Sequence, residues 1–204
     1  MSFACRTCPV VVALACGCAS TPPHSYTLVH EAERNPSAAA ETELPVKVDR
    51  VRIPAQVDRL ELVIRLPDGS IAIAEGEQWI APLADELQHA LSVELGDRLR
   101  DAEPVRTPVA RAESVSVRIE VERFESAPSR YALIDASWHL ELKTERRHVT
   151  VACRTQAYQP VNGGYPELVR GHQRAVAVIA DQIASVAGEV AAGAAVRCPP
   201  DSQH

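Results

Sequence analysis

The stretch VSVRIEVE at residues 115–122 decides the fold class, because apolar and polar residues alternate along its whole length. Its apolar members are Val115, Val117, Ile119 and Val121. Successive side chains of a β-strand point to opposite faces of a sheet. The stretch therefore predicts a strand with one face in the core and the other in water, a pattern typical of antiparallel sheets.

Two more alternating stretches follow this strand along the chain. In the first, Ala132, Ile134, Ala136, Trp138, Leu140 and Leu142 lie opposite Asp135, His139, Glu141 and Lys143. In the second, Val149, Val151 and Cys153 alternate with Thr150 and Arg154. We predict three consecutive strands here.

Shorter strand signals precede residue 115. They are a short strand at 26–29, a strand at 46–53 that Pro54 ends, and a hairpin of strands at 62–66 and 71–73. The Asp68-Gly69 pair between the last two supplies the positive φ that hairpin turns need.

Two helices complete the pattern. Ile80, Leu83, Ala84, Leu87, Leu91, Leu95 and Leu99 recur at three- and four-residue spacing, which predicts one amphipathic helix. A last helix is predicted from about residue 166 to 192, with His172 on its apolar side. Strands and helices in this order predict a single α/β domain, in which two long amphipathic helices pack on one mixed β-sheet.

Composition excludes several classes of protein. The chain has 204 residues, 46% of them hydrophobic, and a net charge of −6 with no densely basic stretch. A nucleic-acid-binding domain would need a Lys/Arg-rich face for the phosphates. No apolar run approaches the ~20 residues of a membrane-spanning helix.

No motif for chemistry stands out. The chain has no nucleophile elbow, P-loop or dinucleotide fingerprint, and its seven histidines lack metal-ligand spacing. Glu120, Glu122 and Glu125 have the spacing of exposed strand positions, and Cys5 and Cys8 lack a second ligand pair. We therefore predict no catalytic residue, no metal site, no cofactor and no enzyme activity.

The N-terminus has the features of an export signal. A short apolar segment at 10–15 precedes Cys16-Gly17-Cys18-Ala19-Ser20 and a Thr/Pro stretch, which resembles a bacterial lipobox. We favour Cys18 as the acylated residue, with Cys16 as the alternative. The chain then divides into a signal peptide (1–17), a flexible tether (18–25), a folded domain (26–196) and a polar tail (197–204).

Acylation has consequences for location and for the cysteines. Two or three acyl chains anchor a domain almost irreversibly. Residue 19 is Ala. An Asp at this position would resemble the signal that retains bacterial lipoproteins in the inner membrane, so we predict that this protein is located in the outer membrane. Because the periplasm is oxidising, we predict a disulfide between Cys153 and Cys198.

Six short segments, taken in order, resemble one family. They are PPHSYTL (22–28), VDRVRIP with VDR and LVIR (48–65), EQWIAPL (77–83), VERFE (121–125), ASWHL (136–140) and YPELV (165–169). In this order and spacing they resemble the ABC-type transport auxiliary lipoproteins. Members of that family are outer-membrane lipoprotein partners of paraquat-inducible-type MCE transport systems.

The resemblance implies a fold and a role. The fold would be similar to the N-terminal domain of the Tol translocation protein. The role would be that of a non-catalytic outer-membrane lipoprotein that faces the periplasm. It would dock an MCE-domain protein of an ABC-type lipid transporter and support envelope integrity. A homo-oligomeric ring is a further expectation. The alternative is a lipid-binding module that itself holds an acyl chain. Trp79 and Trp138 are the candidate anchors, either for a partner or for core packing.

Overall fold

The computed structural model describes residues 22–30, 46–101, 112–144 and 147–199, and all structural statements refer to these ranges. The elements are β1 (His24–Tyr26), β2 (Val46–Val48), β3 (Glu61–Arg65), β4 (Ile71–Trp79), α1 (Leu83–Asp101), β5 (Ala112–Ala127), β6 (Tyr131–Thr144), β7 (His148–Pro160) and α2 (Tyr165–Ala191).

The strands form two hydrogen-bonded sheets. The first has the order β1-β4-β3, with β1 parallel and β3 antiparallel to β4. The second has the order β2-β5-β6-β7, in which β2 runs parallel to β5 and the other three form an antiparallel meander. The predicted mixed α/β class with two packing helices is confirmed.

The prediction of a single sheet is wrong. Strand β3 lies beside β5, but the two are joined by side chains, since Arg65 donates to the Glu125 carboxylate at 3.1 Å. A backbone ladder is what makes two strands part of one sheet. Side-chain contact brings the sheets together without merging them.

The alternation in 115–122 correctly predicted a strand with one buried face and one exposed face. Val115, Val117 and Ile119 are buried and face the helices, while Arg118 and Glu120 are exposed. Helix α2 packs on β6 and β7, and α1 packs on α2, so that the helices cover one face of the four-stranded sheet. No helix in the described ranges is long and apolar enough to cross a membrane.

Element boundaries differ from the prediction at the N-terminal side. Strand β1 begins at His24, inside the predicted tether, and ends at Tyr26 rather than continuing to residue 29. Beyond Tyr26, the backbone N–H groups of Leu28 and Val29 donate to side-chain oxygens of Glu86 and Thr27 instead of to a neighbouring strand. Strand β2 covers only Val46–Val48, and Arg52 rejoins β5 through an isolated parallel bridge to Glu120.

Candidate functional site

The point where the N-terminal segment joins the domain is held by a carboxylate on β4. Glu77 accepts a hydrogen bond from the Tyr26 hydroxyl at 2.6 Å, and its other oxygen lies 3.1 Å from Nδ1 of His24. Burial, followed by the contact with Glu77, raises the pKa of Tyr26 to about 12. Tyr26 therefore stays protonated and keeps donating to Glu77 throughout the neutral range.

A second carboxylate holds the residues that follow β1. Glu86, in the first turn of α1, is 3% exposed. It accepts hydrogen bonds from the Thr27 hydroxyl and the Leu28 backbone N–H, both at 2.9 Å. A carboxylate taken out of water needs such donors, so the N-terminal segment and α1 depend on each other. Residues 24–28 are thereby fastened to the domain at two places.

A groove of about 220 Å³ lies between the β3–β4 hairpin and β5. It is lined by Pro54, Gln56, Val57, Val63, Ile64, Arg65, Ile71, Glu122, Arg123, Phe124, Glu125 and Ser126. The groove combines apolar side chains with charged ones, and both strands that border it contribute both kinds.

Glu125 is the electrostatic centre of this groove. It accepts hydrogen bonds from Arg65 at 3.1 Å, from Arg123 at 2.8 Å and from the Tyr131 hydroxyl at 2.8 Å. Burial alone would raise the pKa of this carboxyl, but Arg123, Tyr131 and Arg65 together hold it below its usual range. The prediction that Glu125 is an exposed strand position is wrong, because Arg65, Arg123 and Tyr131 cover its side chain. The β-bulge between Val121 and Arg123 shifts the alternation so that Phe124 and Ser126, rather than Glu125, face the core.

Beneath the groove lies a buried histidine. His172 on α2 is fully buried, as its place on the apolar stripe predicted, and its Nε2 lies 2.8 Å from the Ser126 hydroxyl. Its ring stacks on Phe124 with centroids 4.1 Å apart, and Trp79 contacts both rings edge-on. Burial lowers the pKa of His172 to about 3, so that the ring is neutral at physiological pH.

The Ser126–His172 pair does not have the features of an activated nucleophile. A general base works best with a pKa near the operating pH, and a third group orients its other nitrogen. Here the pKa is far too low, and Nδ1 has no hydrogen-bond partner among the described residues. The pair therefore contributes to packing between α2 and β5.

Asp135 differs from its prediction as well. It lies on the polar face of β6 but is only 1% exposed, because Arg154 on β7 covers it and donates to both its oxygens at 2.8 Å. The Arg154 hydrogen bonds hold the pKa of Asp135 below its usual range. Cross-strand ion pairing of this kind stabilises the sheet rather than forming a reactive centre.

The structure places the predicted site residues as follows. Cys16 and Cys18 lie outside the described residues. Trp79 and Trp138 are 2% and 0% exposed, so both pack in the core. Cys153 and Cys198 are joined by a disulfide, with their Cα atoms 5.4 Å apart.

Sequence reasoning missed the three carboxylates that organise this region. Each of Glu77, Glu86 and Glu125 accepts a hydrogen bond from a residue more than 50 positions away in the sequence. Glu125 also has partners that lie near it in the chain. The spacing of the three carboxylates in the chain carries no signal of this. Within the described ranges, no group of three or more His, Cys, Asp or Glu side chains is placed to hold a metal ion.

The fold and this site define a small two-helix α/β domain whose N-terminal segment is bound tightly to the sheet. The chain belongs to the ABC-type transport auxiliary lipoprotein family, whose model matches residues 26–184. Membership identifies it as a lipoprotein component associated with ABC transport systems in the cell envelope. No curated protein matches the chain significantly in sequence.

Solved structures share the fold. One, of an uncharacterized protein, has a TM-score of 0.57 at 18% identity and covers 81% of this chain and 98% of its own. Another, protein XCC0632 from Xanthomonas campestris, has a TM-score of 0.50 at 15% identity and covers 84% of this chain and 94% of its own. At these identities the likeness concerns the fold alone.

Proposed function

We propose that the protein is a non-catalytic outer-membrane lipoprotein that docks the periplasmic MCE component of an ABC-type intermembrane lipid transporter. By holding that component at the membrane it supports envelope integrity. The observation that carries this proposal is the fastening of residues 24–28 by Glu77 and Glu86. A domain bound this firmly to its own N-terminal segment stays wherever that segment is anchored.

The length of the tether supports a docking role over a ferrying role. From Cys18 to His24 the chain advances six residues, which span at most ~22 Å when fully extended. An acylated Cys18 would therefore keep the whole domain against its membrane. A domain held there raises the effective concentration of any partner that it binds.

The groove supports docking over the alternative, in which the domain itself holds an acyl chain. Its volume of about 220 Å³ is below the ~300–1,000 Å³ of ordinary small-molecule pockets. Charged groups on Glu122, Arg123 and Glu125 line one side of it. A groove of this size with charged groups along it does not suit an enclosed hydrocarbon chain.

Co-purification tests the proposal. The full-length protein with a C-terminal tag is extracted from membranes, and its N-terminal mass and its bound proteins are identified together. We expect acylation at Cys18, with MCE and ABC transporter subunits bound. An acylated protein that purifies alone would contradict the docking role.

Two cysteine variants serve as a matched pair. The Cys18→Ala variant should lose the acyl chains and leave the membrane fraction, whereas Cys16→Ala should remain acylated and keep its partners. The reverse result would assign acylation to Cys16. A copious lipid adduct in native mass spectra of a protein without partners would favour the lipid-binding alternative.

A further inference from the structure

Strands β3 and β4 carry an exposed apolar face outside the core. Ile71 and Ile73 are 57% and 47% exposed, and the half-buried Val63 is the cross-strand partner of Ile73. Val63 and Ile71 also form part of the rim of the groove. Residues two apart on a strand share a face, and directly opposed pairs have their Cβ atoms ~5 Å apart. These three side chains, here named the isoleucine face, therefore form one continuous apolar surface.

The isoleucine face lies on the side from which the N-terminal segment arrives. Strand β1 runs parallel to β4, with His24 opposite Glu77 and Tyr26 opposite Trp79. The residues before His24 therefore approach from the direction of the earlier part of β4. Ile73 precedes Glu77 by four residues, a distance of at most ~14 Å along the strand. That distance is shorter than the extended tether.

The composition of the face favours lipid over protein. Energetically dominant residues of protein interfaces are enriched in Trp, Tyr and Arg, and Val and Leu are under-represented among them. The three members of the isoleucine face are aliphatic. Of its charged neighbours, Arg65, opposite Ile71, is engaged by Glu125, and Glu75, two residues after Ile73 on the same face, is exposed. Aliphatic side chains at the boundary between headgroups and acyl chains are typical of proteins that rest on a membrane.

We propose that the isoleucine face lies against the phospholipid surface, with Ile71 and Ile73 entering the boundary of the acyl region. This inference rests on the proposed function only for the lipid anchor at the N-terminus. Because the anchor already confines the domain to the surface, a small apolar contact is sufficient to orient it. The rest of the domain is then presented to the periplasm in one orientation.

The test compares two exposed isoleucines at opposite ends of β1. Ile80 is 62% exposed and its N–H binds the Tyr26 carbonyl, so it lies at the end of β1 that points away from the tether. The full-length acylated protein is prepared as Ile73→Cys and Ile80→Cys variants, each labelled with an environment-sensitive fluorophore. Both are reconstituted in phosphatidylethanolamine–phosphatidylglycerol vesicles that contain a nitroxide-labelled lipid.

We expect the fluorophore at position 73 to be quenched several-fold more than the one at position 80, and its emission to shift to shorter wavelength. Equal quenching at the two positions, or none at 73, would overturn the inference. If position 73 becomes protected only when the transporter subunits are added, the face binds protein and the lipid proposal is wrong.

A second variant separates this inference from the proposed function. Ile73→Ser changes an exposed side chain that does not line the groove, so it should fold normally. It should still co-purify with the transporter subunits while its contact with lipid is weakened. Failure of the unmodified protein to capture those subunits would count against the proposed function alone. Loss of subunit capture in the Ser variant alone would overturn the lipid assignment.

Discussion

At the scale of single residues, the buried histidine has the clearest consequence for stability. The neutral ring of His172 is held by Ser126 and packed against Phe124 and Trp79. Burial depresses the pKa of His172 from 6.5 to about 3. Because an unfolded chain restores the ordinary value, the two states bind protons differently across the mildly acidic range.

We predict that the protein loses stability as the pH falls below about 6.5. In that range the unfolded state takes up a proton that the folded state refuses, so the free energy of unfolding decreases by up to ~1.4 kcal/mol per pH unit. The His172→Gln variant keeps a partner for Ser126 but does not titrate, so its stability should depend less on pH. Urea unfolding at pH 7.5 and pH 5 measures the free energy of unfolding of the unmodified protein and of the variant.

Glu125 and Asp135 do not account for a loss of stability in this pH range. Glu125 and Asp135 have folded-state pKa values below their usual range, and the stability that they contribute is lost only as the pH falls further. A variant that loses as much stability as the unmodified protein between pH 7.5 and 5 would show that His172 is not responsible.

At the scale of elements, α2 and the sheet approach each other at Gly171 too closely for a side chain. A Cβ at Gly171 would lie 2.7 Å from Cγ2 of Val161 and 3.0 Å from Cβ of Ala132. These are shorter than normal contacts between carbon atoms, so the helix can approach β6 here only without a side chain.

We predict opposite effects for two glycine substitutions in α2. Gly171→Ala should lower the free energy of unfolding by ~1–3 kcal/mol, because the helix must move away from the sheet. Gly188→Ala meets nothing within 4 Å and should raise stability by ~0.5–1 kcal/mol, since alanine favours a helix over glycine. Chemical denaturation of the two variants measures the difference, and equal effects would contradict the close packing at Gly171.

At the scale of the whole molecule, the disulfide ties the chain beyond α2 back to β7. Cys153 is buried in β7, Cys198 lies in the exposed segment after α2, and 45 residues separate them. The bridge therefore closes a loop that contains the whole of α2.

We predict that a non-reducing peptide map of the mature protein links the peptides that contain Cys153 and Cys198. Reduction should lower the free energy of unfolding by ~2–4 kcal/mol, since opening the loop gives the unfolded chain more freedom. The Cys153→Ser and Cys198→Ser double variant is the control, because reductant should not affect its stability. Two reactive thiols at these positions in the denatured, unreduced protein would contradict the prediction.

Local pattern was sufficient for much of this architecture. The alternation in 115–122 and the three- and four-residue spacing of leucines before residue 101 both predicted elements that the structure confirms. Such periodicities are visible in a short window of sequence. The early start of β1 was missed because His24 and Ser25 carry no strand pattern and pair only through β4.

The sequence by itself determined the α/β class, the two helices, the burial of His172 and the family, because each depends on local periodicity or on short ordered motifs. Only the tertiary structure decided that the strands form two sheets and that Glu77, Glu86 and Glu125 are acceptors for distant donors. It also decided that Ile71 and Ile73 stay exposed while Trp79 is buried. The physical reason is that burial and pairing of a side chain depend on which strand lies beside it, and for these residues that neighbour is far away along the chain.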